Sequence, residues 1–148
     1  MRSWIVFLLA LVGTFIIDES IKSLFLSGYY RAGSCIDLEL HINHGVAFSM
    51  FAFLGEYLKY FQALMIAILI FVALKERFLQ NYALAMGFLL GGAFGNLYDR
   101  FVHGGVVDYV AWHCGFNYAV FNYADVAIDI AVVWIAISLY LKSKKESS

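Results

Sequence analysis

Two aspartates, Asp108 and Asp125, stand beside long apolar segments, where a charged side chain is expensive to place. Asp125 opens the last apolar segment, and Asp108 lies in the short stretch before it. Two carboxylates held together in a poorly solvated site cannot both ionise easily, so they share a proton and can serve as general acid and general base. Asp108 alone would be an ordinary loop aspartate, and it is the pairing that makes acid–base chemistry the leading interpretation.

Further charged residues lie in or at the ends of apolar segments: Asp18, Lys22, Arg100 and Asp129. One ionised side chain at the centre of a bilayer costs roughly 2.5–3.5 kcal/mol on insertion scales. As isolated charges they would together cost on the order of 10 kcal/mol, comparable to the stability of a whole domain. They must therefore pair or line a wet cavity. Asp129 lies one helical turn below Asp125, where it either supports the site or packs against a neighbour.

Each of these residues also has a structural explanation when it is taken alone. Asp18 and Lys22 could form an ion pair on one helix face, with Lys22 reaching out to the interface. Arg100 could be an interfacial anchor or a partner of Asp99. Asp125 could cap a helix N-terminus, where the helix dipole stabilises a carboxylate. Their convergence on one depth near one membrane face favours a single shared site.

The composition is that of a membrane protein. The 148 residues are 63% hydrophobic and 14% charged, with a mean hydropathy of +0.78, whereas a soluble domain has about 25% charged residues. The net charge of −1 provides no basic field for nucleic acid. The length predicts one domain, 1–148. Four segments have the roughly 20 apolar residues that cross a bilayer, at about 4–25, 57–74, 82–98 and 121–141.

The spans predict an orientation. The first could be misread as a cleaved signal peptide, but its paired Asp18 and Lys22 suit a retained helix better. Four spans place both termini on one side and the loops 28–56 and 99–120 on the other. The terminal side carries more lysine and arginine, so we expect it to be cytoplasmic and the two loops to be outside.

The first outer loop carries two distinct patterns. Residues 35–43 alternate between apolar and polar side chains, which predicts a half-buried strand whose partner we expect within the same loop. Residues 46–54 are apolar but too few to span, which is typical of an interfacial or re-entrant segment. Cys35 in this loop could form a disulfide with Cys114 in the other loop, or both could be free thiols.

Other motifs favour packing or exclude chemistries. Gly87, Gly91 and Gly95 recur every four residues, a stripe that lets another membrane helix approach closely. Gly92, Asn96 and Arg100 form the stripe beside it. The histidines show no His-Glu-x-x-His pattern, so a zinc hydrolase is disfavoured, and we expect neither a metal nor a cofactor.

The motifs together resemble the lipoprotein signal peptidase family, also called signal peptidase II. They occur in the family's order and cover most of the chain. The matching blocks are Asp18 with Lys22, 43–49, 91–100 with 105–109, and 121–125.

The resemblance implies an aspartic endopeptidase with Asp108 and Asp125 as its catalytic residues. It implies an all-α integral membrane fold of four transmembrane helices, with a small extracytoplasmic β-cradle and an interfacial helix. The substrate would be a diacylglyceryl-modified bacterial prolipoprotein in the cytoplasmic (inner) membrane, cleaved by a monomer that globomycin inhibits. Supporting or substrate-binding roles are implied for Asp18, Lys22, Asn43, Gly45, Asn96, Asp99, Arg100, Asn122 and Ala124.

Two alternatives come from other functional classes. A small ion or proton carrier could use Asp18, Asp125 and Asp129 as a relay. A carrier needs acids spread across the bilayer, and the inner halves of the predicted spans have none. A scaffold packed through its glycine stripe would tolerate the loss of Asp108, because a loop acid contributes nothing to helix packing.

Overall fold

The computed structural model describes residues 1–45, 54–116 and 119–146 and is mostly helical, with one two-stranded sheet. The predicted interfacial segment, 46–54, lies outside the described residues except for its last position. In chain order the elements are α1 (Arg2–Leu26), β1 (Ile36–Asn43), α2 (Tyr57–Lys75), α3 (Phe78–Asn81), α4 (Ala83–Val102), β2 (Val106–Trp112) and α5 (Tyr123–Glu146).

Three helices, α1, α2 and α5, are long and apolar enough to cross a membrane, and each coincides with a predicted span. The third predicted span corresponds to α4, which continues past residue 98 to Val102. Its last two turns carry Asn96, Asp99 and Arg100 inside the helix, and these polar residues lower its hydropathy. A crossing by α4 is therefore still a prediction.

The helix α4 packs between α1 and α5, and its glycines make this possible. A β-carbon at Gly91 would lie 2.7 Å from the carbonyl oxygen of Leu11 in α1. One at Gly92 would lie 2.7 Å from the carbonyl oxygen of Ala124 in α5. Since real side chains do not tolerate such distances, the two neighbouring stripes act as packing surfaces against two different helices.

An apolar cluster packs α1, α2, α3 and α4 together. It consists of Phe7, Ile66, Ala73, Leu79, Met86 and Leu90. Many large apolar side chains elsewhere on α1, α2 and α5 are exposed, such as Leu9 and Phe71. Outward-facing apolar side chains suit a lipid environment, where the interior holds the polar groups.

The predicted strand is present as β1, but the expected location of its partner was wrong. β1 pairs antiparallel with β2, which comes from the other predicted outer loop, with Ile36 opposite Trp112 and Asn43 opposite Val106. β2 is rich in valine, which favours strands. A register shift between Leu38 and His41 leaves one extra residue in β1. The disulfide Cys35–Cys114 closes one end of this ribbon.

Candidate active site

The two candidate catalytic aspartates come from consecutive elements that meet through Asn122. Asp108 lies in the middle of β2, and Asp125 lies in the first turn of α5. Asn122 precedes α5 and accepts a hydrogen bond from the backbone N–H of Asp125 (2.9 Å). The Asp125 carboxylate in turn accepts one from the backbone N–H of Asn122 (3.1 Å). This reciprocal arrangement is a capping box, which fixes where the helix begins and where the carboxylate points.

Asp108 is held by two side-chain amides. Its Oδ1 accepts a hydrogen bond from Asn122 Nδ2 (2.8 Å), and its Oδ2 accepts one from Asn43 Nδ2 (3.0 Å). Asn43 is the last residue of β1. The register shift lies shortly before it, and His41, the first paired residue after the shift, is opposite Asp108. Such an irregularity re-aims side chains near a site. The two-stranded sheet therefore brings the Asn43 amide onto Asp108.

Asp125 is also held by neutral donors. Its Oδ1 accepts a hydrogen bond from Asn96 Nδ2 (2.8 Å), and Asn96 Oδ1 accepts one from Asn122 Nδ2 (3.0 Å). Asn122 therefore contacts Asp108, Asp125 and Asn96 at once. In the described part of the chain, neither Asp108 nor Asp125 forms an ion pair.

Both carboxylates line one cavity of about 580 Å³. Its wall combines the polar residues with the apolar surface of α5 and the chain before it, and includes Asn43, Gln62, Asn96, Arg100, Val126 and Asp129. Asp108 is only 1% exposed in the protein. Burial, together with the nearby Asp125 charge, raises the pKa of Asp108 to about 7, although the Asn43 amide opposes this. A carboxyl group with this pKa can carry a proton near neutral pH.

A second pair of carboxylates, those of Asp18 and Asp99, forms ion pairs with Lys22. The Lys22 Nζ lies 2.5 Å from Asp18 Oδ2 and 2.6 Å from Asp99 Oδ2. It also donates to Asn96 Oδ1 (3.2 Å). Lys22 is 1% exposed, so the interpretation that it reaches out to the interface was wrong. The ion pair with Asp18 is present, but Asp99 of α4 completes it and draws Lys22 inward.

The start of α5 is fastened by side chains from two other elements. The Tyr123 N–H donates to the Tyr109 hydroxyl (2.9 Å), and the Ala124 N–H donates to Asp18 Oδ1 (3.0 Å). The first N–H groups of a helix have no partner within the helix. Ala124 is fully buried against Gly92, so a larger side chain would separate α5 from α4. Asp18 and Ala124 are therefore positioning residues for Asp125.

Arg100 connects α4 to α2 and to the chain after β1. Its Nε donates to Gln62 Oε1 (2.7 Å), and its Nη2 donates to the carbonyl oxygen of Gly45. Gly45 is itself held by Asn43, whose Oδ1 accepts the Gly45 N–H (2.9 Å). Arg100 is 7% exposed and forms no ion pair with Asp99 among the described residues. Neither structural explanation considered for Arg100 matches these contacts.

Comparisons with known proteins identify the family of this chain. The model of the family described as signal peptidase (SPase) II matches residues 9–141. The chain belongs to the signal peptidase II family.

Relatives and solved structures match over nearly the full length. The lipoprotein signal peptidase of Sulfurovum sp. (strain NBC37-1) is 66% identical over 95% of this chain and 96% of its own. That of Helicobacter pylori (strain P12) is 40% identical over 95% of this chain and 92% of its own. A bacterial membrane enzyme solved at 2.3 Å resolution is 26% identical, with a TM-score of 0.76 over 96% of this chain and 91% of that chain.

Two residues of the signal peptidase II site escaped the sequence interpretation, namely Gln62 and Tyr109. Gln62 is an uncharged polar residue in the mostly apolar second span, and the rule that intramembrane polar groups need partners could have identified it. Tyr109 gives no such signal, because a tyrosine in a strand is ordinary. Asp129, whose role the sequence left open, lines the cavity and is exposed.

Proposed function

We propose that this protein is an endopeptidase that removes signal peptides from diacylglyceryl-modified bacterial prolipoproteins, with Asp108 and Asp125 as its catalytic pair. The observation that carries the proposal is the bridge through Asn122, which holds both carboxylates in one cavity. The names of the relatives support the substrate class, since each is a lipoprotein signal peptidase.

The proposed mechanism follows from two carboxylates that share one proton. The ionised partner takes a proton from a water molecule, which attacks the carbonyl carbon of the scissile peptide bond. The protonated partner donates to the carbonyl oxygen, and a proton then passes to the leaving amine. The asparagine donors around Asp108 and Asp125 support this role, because a neutral donor orients a carboxylate and favours its ionised form less strongly than a cation in contact does.

The surroundings of the pair suit a lipid-modified substrate. The cavity is walled by apolar residues of α5 and of the chain before it, such as Val126 and Phe121. A substrate whose acyl chains stay in the bilayer would gain binding energy and register from lipid burial. The membrane thereby becomes part of substrate recognition.

The proposed orientation places both termini in the cytoplasm and the catalytic pair near the outer face of the bacterial inner membrane. The distribution of lysine and arginine supports it. The disulfide Cys35–Cys114 supports it independently, because disulfides persist in oxidising compartments outside the cytoplasm. The same side carries β1, β2 and the ends of α4 and α1 that contribute polar residues.

The test is cleavage of a diacylated prolipoprotein by purified protein, followed by mass spectrometry. We expect Asp108→Asn and Asp125→Asn each to lower kcat by about a hundredfold or more, because one proton-transfer group is lost. Both variants should keep the disulfide and the unfolding behaviour of the wild type. Cleavage by Asp108→Asn at a near wild-type rate would refute the assignment.

A further inference from the structure

Gln62 has no role in the proposed chemistry, yet it faces the catalytic cavity from α2. Its Oε1 accepts the Arg100 Nε–H at 2.7 Å, a short hydrogen bond to a charged donor. Its Nε2 donates to the Ala93 carbonyl oxygen at 3.4 Å, which fixes which end of the amide faces Arg100. Gln62 is therefore oriented as an acceptor for the guanidinium.

Arg100 is a cation that lines the same cavity as the catalytic pair. Lys22 forms ion pairs with Asp18 and Asp99. Arg100 is attracted electrostatically to Asp108 first and to Asp125 second, yet among the described residues it forms an ion pair with neither. Its described hydrogen bonds go to two neutral oxygens instead, those of Gln62 and Gly45.

A guanidinium in direct contact with a carboxylate would change the chemistry of the pair. Arginine and carboxylate groups form strong paired hydrogen bonds, and the contact favours the ionised form of the acid. A pair locked as two anions has no proton to donate to the carbonyl oxygen of a substrate. The arrangement therefore needs Arg100 close enough to orient groups around the site but not bonded to either acid.

We propose that Gln62 is a positioning residue, which holds the Arg100 guanidinium on the Gly45 carbonyl and away from direct pairing with Asp108 and Asp125. This inference rests on the proposed function of the pair. Without the Gln62 oxygen, the Nε end of Arg100 loses its partner, and the carboxylates of Asp108 and Asp125, which attract the guanidinium, become competing acceptors.

The test compares two substitutions at position 62 in the prolipoprotein cleavage assay, measured as a function of pH. Gln62→Met keeps the length of the side chain and removes the acceptor, whereas Gln62→Glu keeps an acceptor. We expect Gln62→Met to lower kcat about tenfold and to move the pH–rate profile to lower pH by roughly one unit, because an arginine contact favours ionised carboxylates. We expect Gln62→Glu to show no downward movement.

Other titratable groups near Arg100 and the catalytic pair are the same in both variants, so a difference between the profiles reports the change at position 62. These groups are Glu19, Lys22, His44, Lys59, Asp99 and Asp129. Gln80 in α3 is exposed and outside the cavity, so Gln80→Met is a matched control that should behave like the wild type.

The outcomes separate this inference from the proposed function. If Gln62→Met leaves the profile unmoved, or if Gln62→Glu moves it down equally, the positioning role is overturned. If Gln62→Met does not fold, Gln62→Glu still decides, since a folded Gln62→Glu with a tenfold loss of kcat and a lowered profile contradicts the role. Asp108→Asn is assayed alongside, because its retention of activity would overturn the proposed function itself.

Discussion

Two carboxylate pairs lie in this molecule, and they differ in what their oxygens face. Asp18 and Asp99 share the Lys22 ammonium at 2.5 and 2.6 Å. Asp108 and Asp125 face asparagine amides and a backbone N–H, with no ion pair to a described residue. A cation in contact favours the ionised form of a carboxylate more strongly than a neutral hydrogen-bond donor does. The same residue type therefore gives an anchor in one pair, Asp18 and Asp99, and the proposed proton-sharing site in the other.

The anchor pair, Asp18 and Asp99, also helps to place the proposed catalytic pair, Asp108 and Asp125. Asp18 accepts the Ala124 N–H at 3.0 Å, and Asp99 accepts the Val107 N–H at 3.0 Å. Ala124 precedes Asp125, and Val107 precedes Asp108, so each anchor acid holds the backbone next to one catalytic acid. Ionised acceptors make stronger hydrogen bonds than neutral ones. The ion-paired acids thus position the two groups whose charges change in the proposed mechanism.

Removing the cation is the largest expected disturbance of the anchor pair. Lys22→Met leaves Asp18 and Asp99 buried without a counter-charge, which costs about 3–5 kcal/mol in the free energy of unfolding. Titration of the purified protein with SDS in mixed micelles would measure this loss.

A matched control exists near the C-terminus. Lys142 lies 3.9 Å from Glu146, and both side chains are more than half exposed. Lys142→Met should therefore change the free energy of unfolding by no more than about 0.5 kcal/mol. A loss below about 1 kcal/mol for Lys22→Met would contradict the anchor role, since it would mean that the two aspartates do not depend on the cation.

The catalytic pair should instead reveal itself through pH. The pKa of Asp108 rises from 3.8 to about 7 in the folded protein, so the folded state holds this proton more tightly than the unfolded state. Its contribution to stability is full below pH 3.8 and is lost as pH rises toward 7. The wild type should lose on the order of 4 kcal/mol more than Asp108→Asn across this range.

The measurement is the free energy of unfolding at several pH values for the wild type and for Asp108→Asn. A constant offset between them reports only altered hydrogen bonds, whereas a difference in slope reports the titration of Asp108. Parallel curves would show that Asp108 keeps an ordinary pKa, and would remove the main distinction between the two carboxylate pairs.

The comparison also shows what the sequence could predict. Helices α1, α2 and α5 follow from apolar runs of about 20 residues, and β1 follows from strict alternation. Asp108 and Asp125 could be singled out because charged residues beside apolar segments need an explanation, and because the surrounding motifs resemble a known family.

Contacts between distant elements could not be predicted in the same way. The link from Lys22 to Asp99 depends on how α1 crosses α4, which the glycine stripe permits without specifying a register. The prediction that the partner of β1 lies in the same loop was wrong, because the pairing with β2 depends on where the chain after α4 lies in the folded protein. The sequence left the disulfide Cys35–Cys114 undecided for the same reason, because the ends of the paired strands bring the two cysteines together.

The smallest expected effect concerns the hydrogen bond from the Tyr123 N–H to the neutral Tyr109 hydroxyl. It lies beside the hydrogen bond from the Ala124 N–H to the Asp18 carboxylate. The Tyr109 ring stacks on Phe25 with centroids 4.3 Å apart, so Tyr109→Phe keeps the packing and removes only the hydroxyl that accepts the Tyr123 N–H. We expect a loss of about 1 kcal/mol in the free energy of unfolding, typical of one hydrogen bond between neutral groups. Asp18→Asn, which removes the charge behind the neighbouring Ala124 N–H, should be worse, because it also unbalances Lys22. The same SDS titration measures the free energy of unfolding of both variants. Equal losses for Tyr109→Phe and Asp18→Asn would mean that the charged Asp18 carboxylate holds α5 no better than the neutral Tyr109 hydroxyl.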